Sequence, residues 1–163
     1  MSSFQEMIDR WAQPCQLDQI LLRPERMADP VLAAQAQLDL AGLGGDHGRV
    51  GKRAVTLMQA EHLPVIASMI GQSQIDLTLV RRNLLISGLN LNALKGRSIS
   101  IGSAVLRITG ICAPCSRMER AVGPGGYSAM RGHGGWCAEV VTPGAIKLAN
   151  AVMPLDVMPD TEA

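Results

Sequence analysis

The sequence predicts a mainly β fold with a few flanking helices. Its 163 residues suffice for one domain with a hydrophobic core, and 47% of them are hydrophobic. Short apolar segments, several with alternating polarity, recur between Gly and Pro turn signals. Predicted strands and helices do not alternate regularly. A mixed, mainly antiparallel sheet or a small barrel is therefore expected rather than a doubly wound sheet.

The pattern predicts about seven or eight short strands and two or three helices. A helix is expected over residues 3–12, which are amphipathic and precede Pro14. A second is expected over residues 59–70, where apolar residues recur at helical spacing before Gly71. Residues 38–48 are Gly-rich and predict a turn. The predicted strands cover residues 17–23, 53–57, 77–80, 83–86, 98–101, 104–109, 136–141 and 146–152.

The chain is interpreted as a single domain over residues 1–163, with a core at about 17–152 and a loose tail at 155–163. The first residues lack the basic and continuous apolar regions of a secretory signal, and no segment has the apolar length of a membrane helix. We therefore expect a cytoplasmic protein that does not bind a membrane. Its four cysteines should be reduced there.

The net charge of +1 hides an uneven distribution along the chain. Residues 1–46 carry −4, residues 47–138 carry +8, and residues 139–163 carry −3. The middle of the chain is expected to attract anions, unless its arginines are only a solvated surface. Aromatic residues make up 2% of the chain, which leaves no platform for stacking bases. Nucleic acid is therefore not an expected partner.

The segment Cys112-Ala113-Pro114-Cys115 follows a predicted strand and its terminal glycine. Two thiols at this spacing serve as a redox pair, as half of a zinc site, or as a loop that presents one thiolate to a ligand. A redox pair of the thioredoxin type is disfavoured, because no βαβ unit surrounds it. Zinc remains an alternative, since His133 and Cys137 complete an acceptable ligand set with the two thiols.

The third use is favoured by nearby cationic residues. Arg117 and Arg120 closely follow Cys115, and cationic neighbours lower the pKa of a thiol. A thiolate is a suitable ligand for a transition metal, and arginines match the geometry of a phosphate. These residues predict a metal cofactor that carries a phosphate. Further candidates for ligand contact lie in glycine-flanked segments: Arg81, Arg82, Arg131, His133, Asp46 and His47.

Several ordered motifs resemble the MOSC family, named for the C-terminal domain of molybdenum cofactor sulfurases, and especially its small stand-alone bacterial members. The resemblance extends from about residue 17 to residue 152. The matching segments are residues 42–47, 52–61, 81–90, 94–96, 101–102, 109–119 and 129–135.

The resemblance implies a compact MOSC-type barrel, similar to the β-barrel of pyruvate kinase, that binds a molybdopterin-type molybdenum cofactor. The family's Pro-Cys pattern falls on Pro114-Cys115, which makes Cys115 the candidate catalytic residue and molybdenum ligand, with Cys112 auxiliary or structural. The residues in matching motifs that are candidates for holding the pterin and its phosphate are Arg81, Arg82, Asn83, Arg117, Arg131 and His133. Pyridoxal phosphate is not expected, because relatives that bind it use another domain.

Relatives in this family reduce N-hydroxylated compounds, so the same reaction on a small-molecule substrate is the leading hypothesis. A separate reductase would then supply electrons, because the sequence has no flavin, haem or iron–sulfur motif. The first alternative is a sulfur carrier that receives a persulfide on Cys115 from a sulfur donor and passes it on. The second is a zinc-stabilised binding module without catalysis.

Overall fold

The computed structural model describes residues 3–155, which form a mainly β fold with flanking helices as predicted. The described strands are β1 (Gln16–Leu22), β2 (Val31–Ala33), β3 (Gln35–Asp39), β4 (Gly42–Leu43), β5 (Val55–Gln59), β6 (Leu84–Ser87), β7 (Ser98–Ile101), β8 (Ala104–Ile111), β9 (Trp136–Thr142), β10 (Gly144–Lys147) and β11 (Val152–Pro154). The helices are α1 (Phe4–Ile8), α2 (His62–Met69), α3 (Leu77–Val80), α4 (Ser116–Val122) and α5 (Gly126–Met130).

Two sheets organise these strands. The larger has eight strands in the order β11-β7-β8-β9-β5-β6-β1-β2, and the smaller has the order β10-β3-β4. Among the described strands, β5 and β6 are the one parallel pair. The predicted mixed, mainly antiparallel sheet is therefore confirmed.

The expected closed barrel is wrong, because the larger sheet stays open. Its end strands are β11 and β2. The edge of β1 that faces away from β6 is divided: residues 20–22 pair with β2, while Gln16 forms an isolated bridge with Ala151. One bridge does not make a ladder, so strand pairing does not continue around the structure.

Two apolar clusters form the core on the two sides of β5, whose five residues are all buried. The first cluster lies among the strands and includes Leu17, Leu57, Leu106 and Val140. The second packs α2, α3, α4 and α5 against the sheet through Met58, Ile66, Leu77, Val80, Met118 and Met130. Burial of both faces explains why β5 does not alternate between buried apolar and exposed polar residues.

Some elements differ from the sequence prediction. Residues 77–80 form helix α3 rather than a strand, because Asp76 caps it by accepting hydrogen bonds from the backbone amides of Thr78 and Leu79. Residues 146–152 are not one strand, since a turn at residues 148–149 lies between β10 and β11. Strands β2 and β3 and helices α4 and α5 were not predicted, because such short elements have too few residues to show a period.

The chain ends also differ from the prediction. Helix α1 is shorter than residues 3–12, beginning with a capping box between Ser3 and Glu6 and ending before Asp9. Leu155 donates a backbone hydrogen bond to the Ser98 carbonyl, 2.9 Å, and the rest of the predicted loose tail lies outside the described residues. Within residues 3–155, no helix combines the length and apolar character that crossing a membrane requires.

Candidate functional site

The main candidate site is a cleft of about 880 Å³ between the end of β1, the loop before β5 and the segment after β8. We call it the arginine cleft. Its cationic lining residues are Arg23, Arg26, Arg49, Lys52, Arg53 and Arg82. His47, Thr56, Cys112 and Cys115 also line it, and no Asp or Glu is among the described lining residues. Six cations without a carboxylate in the wall create a site for an anion.

Arg82 is the buried cation of this cleft, with only 6% of its surface exposed. Its guanidinium donates three hydrogen bonds to backbone carbonyls: Nε to Gly134, 2.8 Å, Nη1 to Val80, 3.3 Å, and Nη2 to Cys112, 3.2 Å. No carboxylate in residues 3–155 forms an ion pair with it. A buried charge satisfied only by neutral carbonyls favours an anion beside it.

Arg23 is oriented by two residues outside the cleft wall. The Asp46 carboxylate is completely buried and accepts from Arg23 Nε at 3.1 Å and Nη2 at 3.0 Å. Asn83 Oδ1 accepts from Arg23 Nη2 at 3.2 Å, and Asn83 Nδ2 donates to Asp46 Oδ1 at 3.1 Å. Asp46 and Asn83 are thus placed to position Arg23 rather than to contact a ligand.

The contact with Arg23 also affects the pKa of Asp46. Burial raises the pKa of this carboxyl group, but the hydrogen bonds and charge of Arg23 outweigh burial and hold the pKa below its usual value. Asp46 therefore stays ionised and keeps Arg23 fixed. His47 follows in the cleft wall, with its Nδ1 3.9 Å from Asp46 Oδ2.

A glycine-containing loop carries the exposed cations Arg49, Lys52 and Arg53. A Cβ atom at Gly48 would lie 2.7 Å from the Ala41 carbonyl oxygen and 2.8 Å from that of Ala54, so only glycine fits. Thr109 Oγ1 donates to the Lys52 carbonyl at 2.5 Å, which ties the loop to β8. The loop is anchored while its charged side chains reach into the cleft.

Cys112 and Cys115 both line the cleft but differ in exposure. Cys115 is exposed at the N-cap position of α4, with no capping hydrogen bond from its side chain. Cys112 is buried, and its backbone amide donates to the Gly135 carbonyl at 3.0 Å. The exposed Cys115 thiol is the one that a ligand in the cleft can reach from solvent.

The Cys112 thiol is in hydrogen-bonding contact with the Cys137 thiol. That hydrogen bond, together with the charges of Arg82, Arg53 and Arg23, lowers the pKa of Cys112 despite its burial. The same contact and burial raise the pKa of Cys137. The pair therefore favours a thiolate at Cys112 and a neutral thiol at Cys137.

Besides Asp46 and Asn83, four of the predicted ligand residues do not line the arginine cleft. Arg81 has a left-handed backbone, φ 53°, and donates from Nη1 to the Ala28 carbonyl at 2.8 Å. Arg117 donates to the Met27 sulfur at 3.1 Å, and Arg131 is exposed after α5. His133 packs edge-to-face on His62, with ring centroids 5.0 Å apart. Of the predicted set, Cys115, Arg82 and His47 line the cleft, with Asp46 and Asn83 supporting it.

The zinc alternative required Cys112, Cys115, His133 and Cys137 in one place. His133 instead faces His62, while Cys112 faces Cys137. Over the described range 3–155, no group of three or more His, Cys, Asp or Glu side chains is placed to hold a metal ion. The geometry does not support a tetrahedral zinc site.

Five of the six cationic lining residues were not among the predicted site residues: Arg23, Arg26, Arg49, Lys52 and Arg53. A usable signal was present, since residues 48–53 contain two glycines and three cations. Glycines beside cations favour close approach of a charged ligand. No comparable sequence pattern marks Arg23 and Arg26. They follow β1, and only the folded structure places the end of β1 beside the loop at residues 48–53.

The sequence model of the MOSC domain family matches residues 39–153. Among solved structures, the YuaD protein from Bacillus subtilis is similar, with a TM-score of 0.76 and 19% identity over 88% of this chain and 97% of that one. YiiM from Geobacillus stearothermophilus has a TM-score of 0.73 and 17% identity, over 88% of this chain and 76% of its own. YiiM from Escherichia coli has a TM-score of 0.69 and 19% identity, over 89% and 72%. Comparison with curated proteins found no match. At these identities the solved structures support the fold alone.

Proposed function

Because this chain belongs to the MOSC domain family, we propose that it binds a molybdopterin-type molybdenum cofactor in the arginine cleft, with Cys115 as the molybdenum ligand. One observation carries the proposal: a cleft with six cationic residues and no carboxylate in its wall also contains an exposed thiol. The donors suit the group, since guanidinium binds phosphate and thiolate binds a soft transition metal.

Each part of the cleft has a role in this proposal. Arg82 and Arg23 hold the cofactor phosphate, because both are oriented by existing hydrogen bonds and lose little freedom on binding. The exposed cations of the loop at 48–53 screen the remaining negative charge. Cys115 places its sulfur at the open side of the cleft, where it would bind the metal. When bound, the cofactor supplies two-electron redox chemistry.

The reaction we propose is reduction of N-hydroxylated small molecules in the cytoplasm, with electrons from a separate reductase. The exposed position of Cys115 supports it, since a metal ligand there leaves an approach for substrate from solvent.

The cofactor test uses the full chain expressed with active cofactor synthesis. Metal and pterin analysis should find about one molybdenum and one pterin per chain. Cys115→Ser should lose most of the molybdenum, whereas Cys15→Ser, a buried cysteine outside the cleft, should keep it. If Cys115→Ser retained molybdenum fully, the assignment of the ligand would be wrong.

The activity test uses the molybdenum-loaded protein, a chemical reductant and an N-hydroxylated nucleobase. Loss of the N–OH group, measured by chromatography, supports the reductase proposal. If the molybdenum-loaded protein left the substrate unchanged, both with and without a cytoplasmic reductase fraction, the proposed reaction would be wrong. The proposed cofactor site would not be affected by that result.

A sulfur carrier is the second candidate, favoured by the exposure of Cys115. In this role the Cys115 thiolate attacks the outer sulfur of a donor persulfide. The bond between the two donor sulfurs breaks, the donor leaves as a thiolate, and Cys115 becomes the persulfide. Intact-mass measurement should then show an adduct of about 32 mass units that dithiothreitol removes. Absence of the adduct after incubation with a persulfide donor argues against this function.

A further inference from the structure

Two buried thiols lie together on one face of the β8–β9 ladder, beside the arginine cleft. Cys137 is opposite Gly110 in the register, and Ile111 is opposite Trp136. Cys112 comes next, with its amide bonded to the Gly135 carbonyl, so its side chain points to the same face as that of Cys137. Gly110, which stands opposite Cys137, adds no side chain to this face, and the Cys112 and Cys137 thiols share a hydrogen bond.

The two thiols differ in what surrounds them. Cys112 lines the arginine cleft, whereas Cys137 lines a smaller cleft of about 320 Å³ on the other side of Lys52, Arg53 and Ala113. The arginines near Cys112 stabilise its thiolate, and the neutral Cys137 thiol is adjacent to it. A thiolate reached from a cleft and a resolving thiol in contact are the two parts of an oxidisable dithiol.

We propose that Cys112 and Cys137 form a peroxide-oxidisable dithiol that controls the charge of the arginine cleft. The Cys112 thiolate attacks one oxygen of hydrogen peroxide. The O–O bond breaks, hydroxide leaves and takes a proton to become water, and Cys112 becomes a sulfenic acid. The Cys137 sulfur then attacks the Cys112 sulfur. The S–S bond forms, the S–O bond breaks, and the hydroxyl leaves with the Cys137 proton as a second water.

In this step two thiol sulfurs are oxidised and one peroxide is reduced to two waters. The disulfide carries no charge, so oxidation removes the thiolate that lies beside Arg82 and Arg53. These arginines then attract an external anion more strongly. The inference concerns the thiol pair and the cleft charge, and it does not require the proposed molybdenum cofactor.

Tryptic peptides separate the possible products. Cys112 and Cys115 are in one peptide, residues 108–117, and Cys137 is in another, residues 132–147. The full-length wild-type protein is treated with an equimolar amount of hydrogen peroxide, free thiols are alkylated, and the digest is analysed by mass spectrometry. The proposal predicts a cross-link between the two peptides through Cys112, which dithiothreitol reverses.

Cysteine variants test whether the cross-link depends on Cys137 and not on Cys115 or Cys15. Cys115→Ser should still form the cross-link, and Cys15→Ser should behave as wild type, because Cys15 bonds to the Gly88 and Gln13 carbonyls instead. Cys137→Ala should lose the cross-link, with its circular dichroism recorded as a check of folding. A wild-type digest with only a Cys112–Cys115 disulfide, or with Cys115 alone oxidised, would overturn the proposal, whatever the variants do.

The effect of oxidation on the charge of the arginine cleft is tested by anion binding. Inorganic pyrophosphate is titrated calorimetrically into reduced and oxidised protein, both free of cofactor. Oxidation should tighten binding by about threefold, as expected for removing one negative charge near a partly solvated site. Equal or weaker binding by the oxidised protein would overturn the control of cleft charge.

Discussion

The arginine cleft and the helical layer of α3, α4 and α5 are both rich in arginine, yet only the cleft is arranged to hold an anion. In the cleft, Arg23 and Arg82 are fixed by hydrogen bonds on one side and line the open space on the other. In the helical layer, Arg81 donates to the carbonyls of residues 25, 26 and 28, and Arg117 contacts Met27.

The difference shows that the +8 charge of residues 47–138 is not one surface. Arg81 and Arg82 both donate to backbone carbonyls, but only Arg82 also lines the cleft. The useful distinction is therefore whether a guanidinium held by its hydrogen bonds also lines the open cleft, rather than its place in the sequence. The following variants test that distinction.

The largest effect is expected from Asp46→Asn, which breaks the buried contact with Arg23. Loss of this ion pair should lower the free energy of unfolding by about 3 kcal/mol. Because Arg23 lowers the pKa of Asp46, the stabilisation is present above the unfolded pKa of about 3.9 and is lost as pH falls through the folded value. Urea denaturation measures it. Glu139→Gln, from the exposed pair with Arg107, should change stability by less than about 1 kcal/mol. Equal changes in stability for Asp46→Asn and Glu139→Gln would contradict the expectation that the buried ion pair stabilises the fold more than the exposed one.

The second variant, Arg82→Gln, tests the cleft directly. Pyrophosphate affinity should fall about tenfold, equivalent to about 1.4 kcal/mol, because the buried guanidinium provides charge that glutamine lacks. Arg131→Gln is the matched control in the helical layer and should leave the affinity unchanged, since Arg131 does not line the cleft. Calorimetric titration compares the two. A larger loss from Arg131→Gln would place the anion in the helical layer instead.

A smaller effect is expected at the start of the helical layer. Asp76→Ala removes the N-cap of α3 and should cost about 1 kcal/mol of stability. Pyrophosphate binding should stay the same, because α3 carries no residue of the cleft wall. Thermal unfolding and titration of one sample measure both quantities. Ser68→Ala, at an exposed position of α2, is the control with an expected change below about 0.5 kcal/mol. If Asp76→Ala lost pyrophosphate binding but kept its stability, the N-cap of α3 would affect the arginine cleft, contrary to this expectation.

The smallest effect concerns the His62–His133 contact. Burial, followed by the charge of His133, lowers the pKa of His62. The unfolded chain then binds more protons between this value and about 6.5, so stability falls as pH drops through that window. His62→Gln should reduce the loss, measured by urea denaturation at about pH 7.5 and pH 5.5. An unchanged pH slope would show that the histidine contact does not affect stability.

Much of the fold could be predicted because its longer elements have clear periods. Strands β1, β8 and β9 and helix α2 were located within a few residues. Helix α3 was mistaken for a strand, since four apolar residues show no period and the Asp76 cap decides the outcome. Whether the sheet closes also could not be predicted from the sequence, because it depends on how β2 and Ala151 divide one edge of β1 between them.

The candidate site was predicted in part. Cys115, Arg82 and His47 were identified and line the cleft, and the motifs that include Asp46 and Asn83 support Arg23. Arg81, Arg117, Arg131 and His133 lie in equally well-matched motifs but outside the cleft. Motif membership does not reveal side-chain direction, which depends on backbone geometry such as the left-handed conformation of Arg81.

By itself the sequence determined the mainly β class, the excess of cations in the middle of the chain and the four cysteines, because periodicity, charge and residue type are local properties. The tertiary structure decided which cations share a cleft, and that Cys112 and Cys137 share one face of the β8–β9 ladder. Both outcomes depend on contacts between distant residues. Strand register and buried hydrogen bonds determine those contacts, and neither can be read from spacing along the chain.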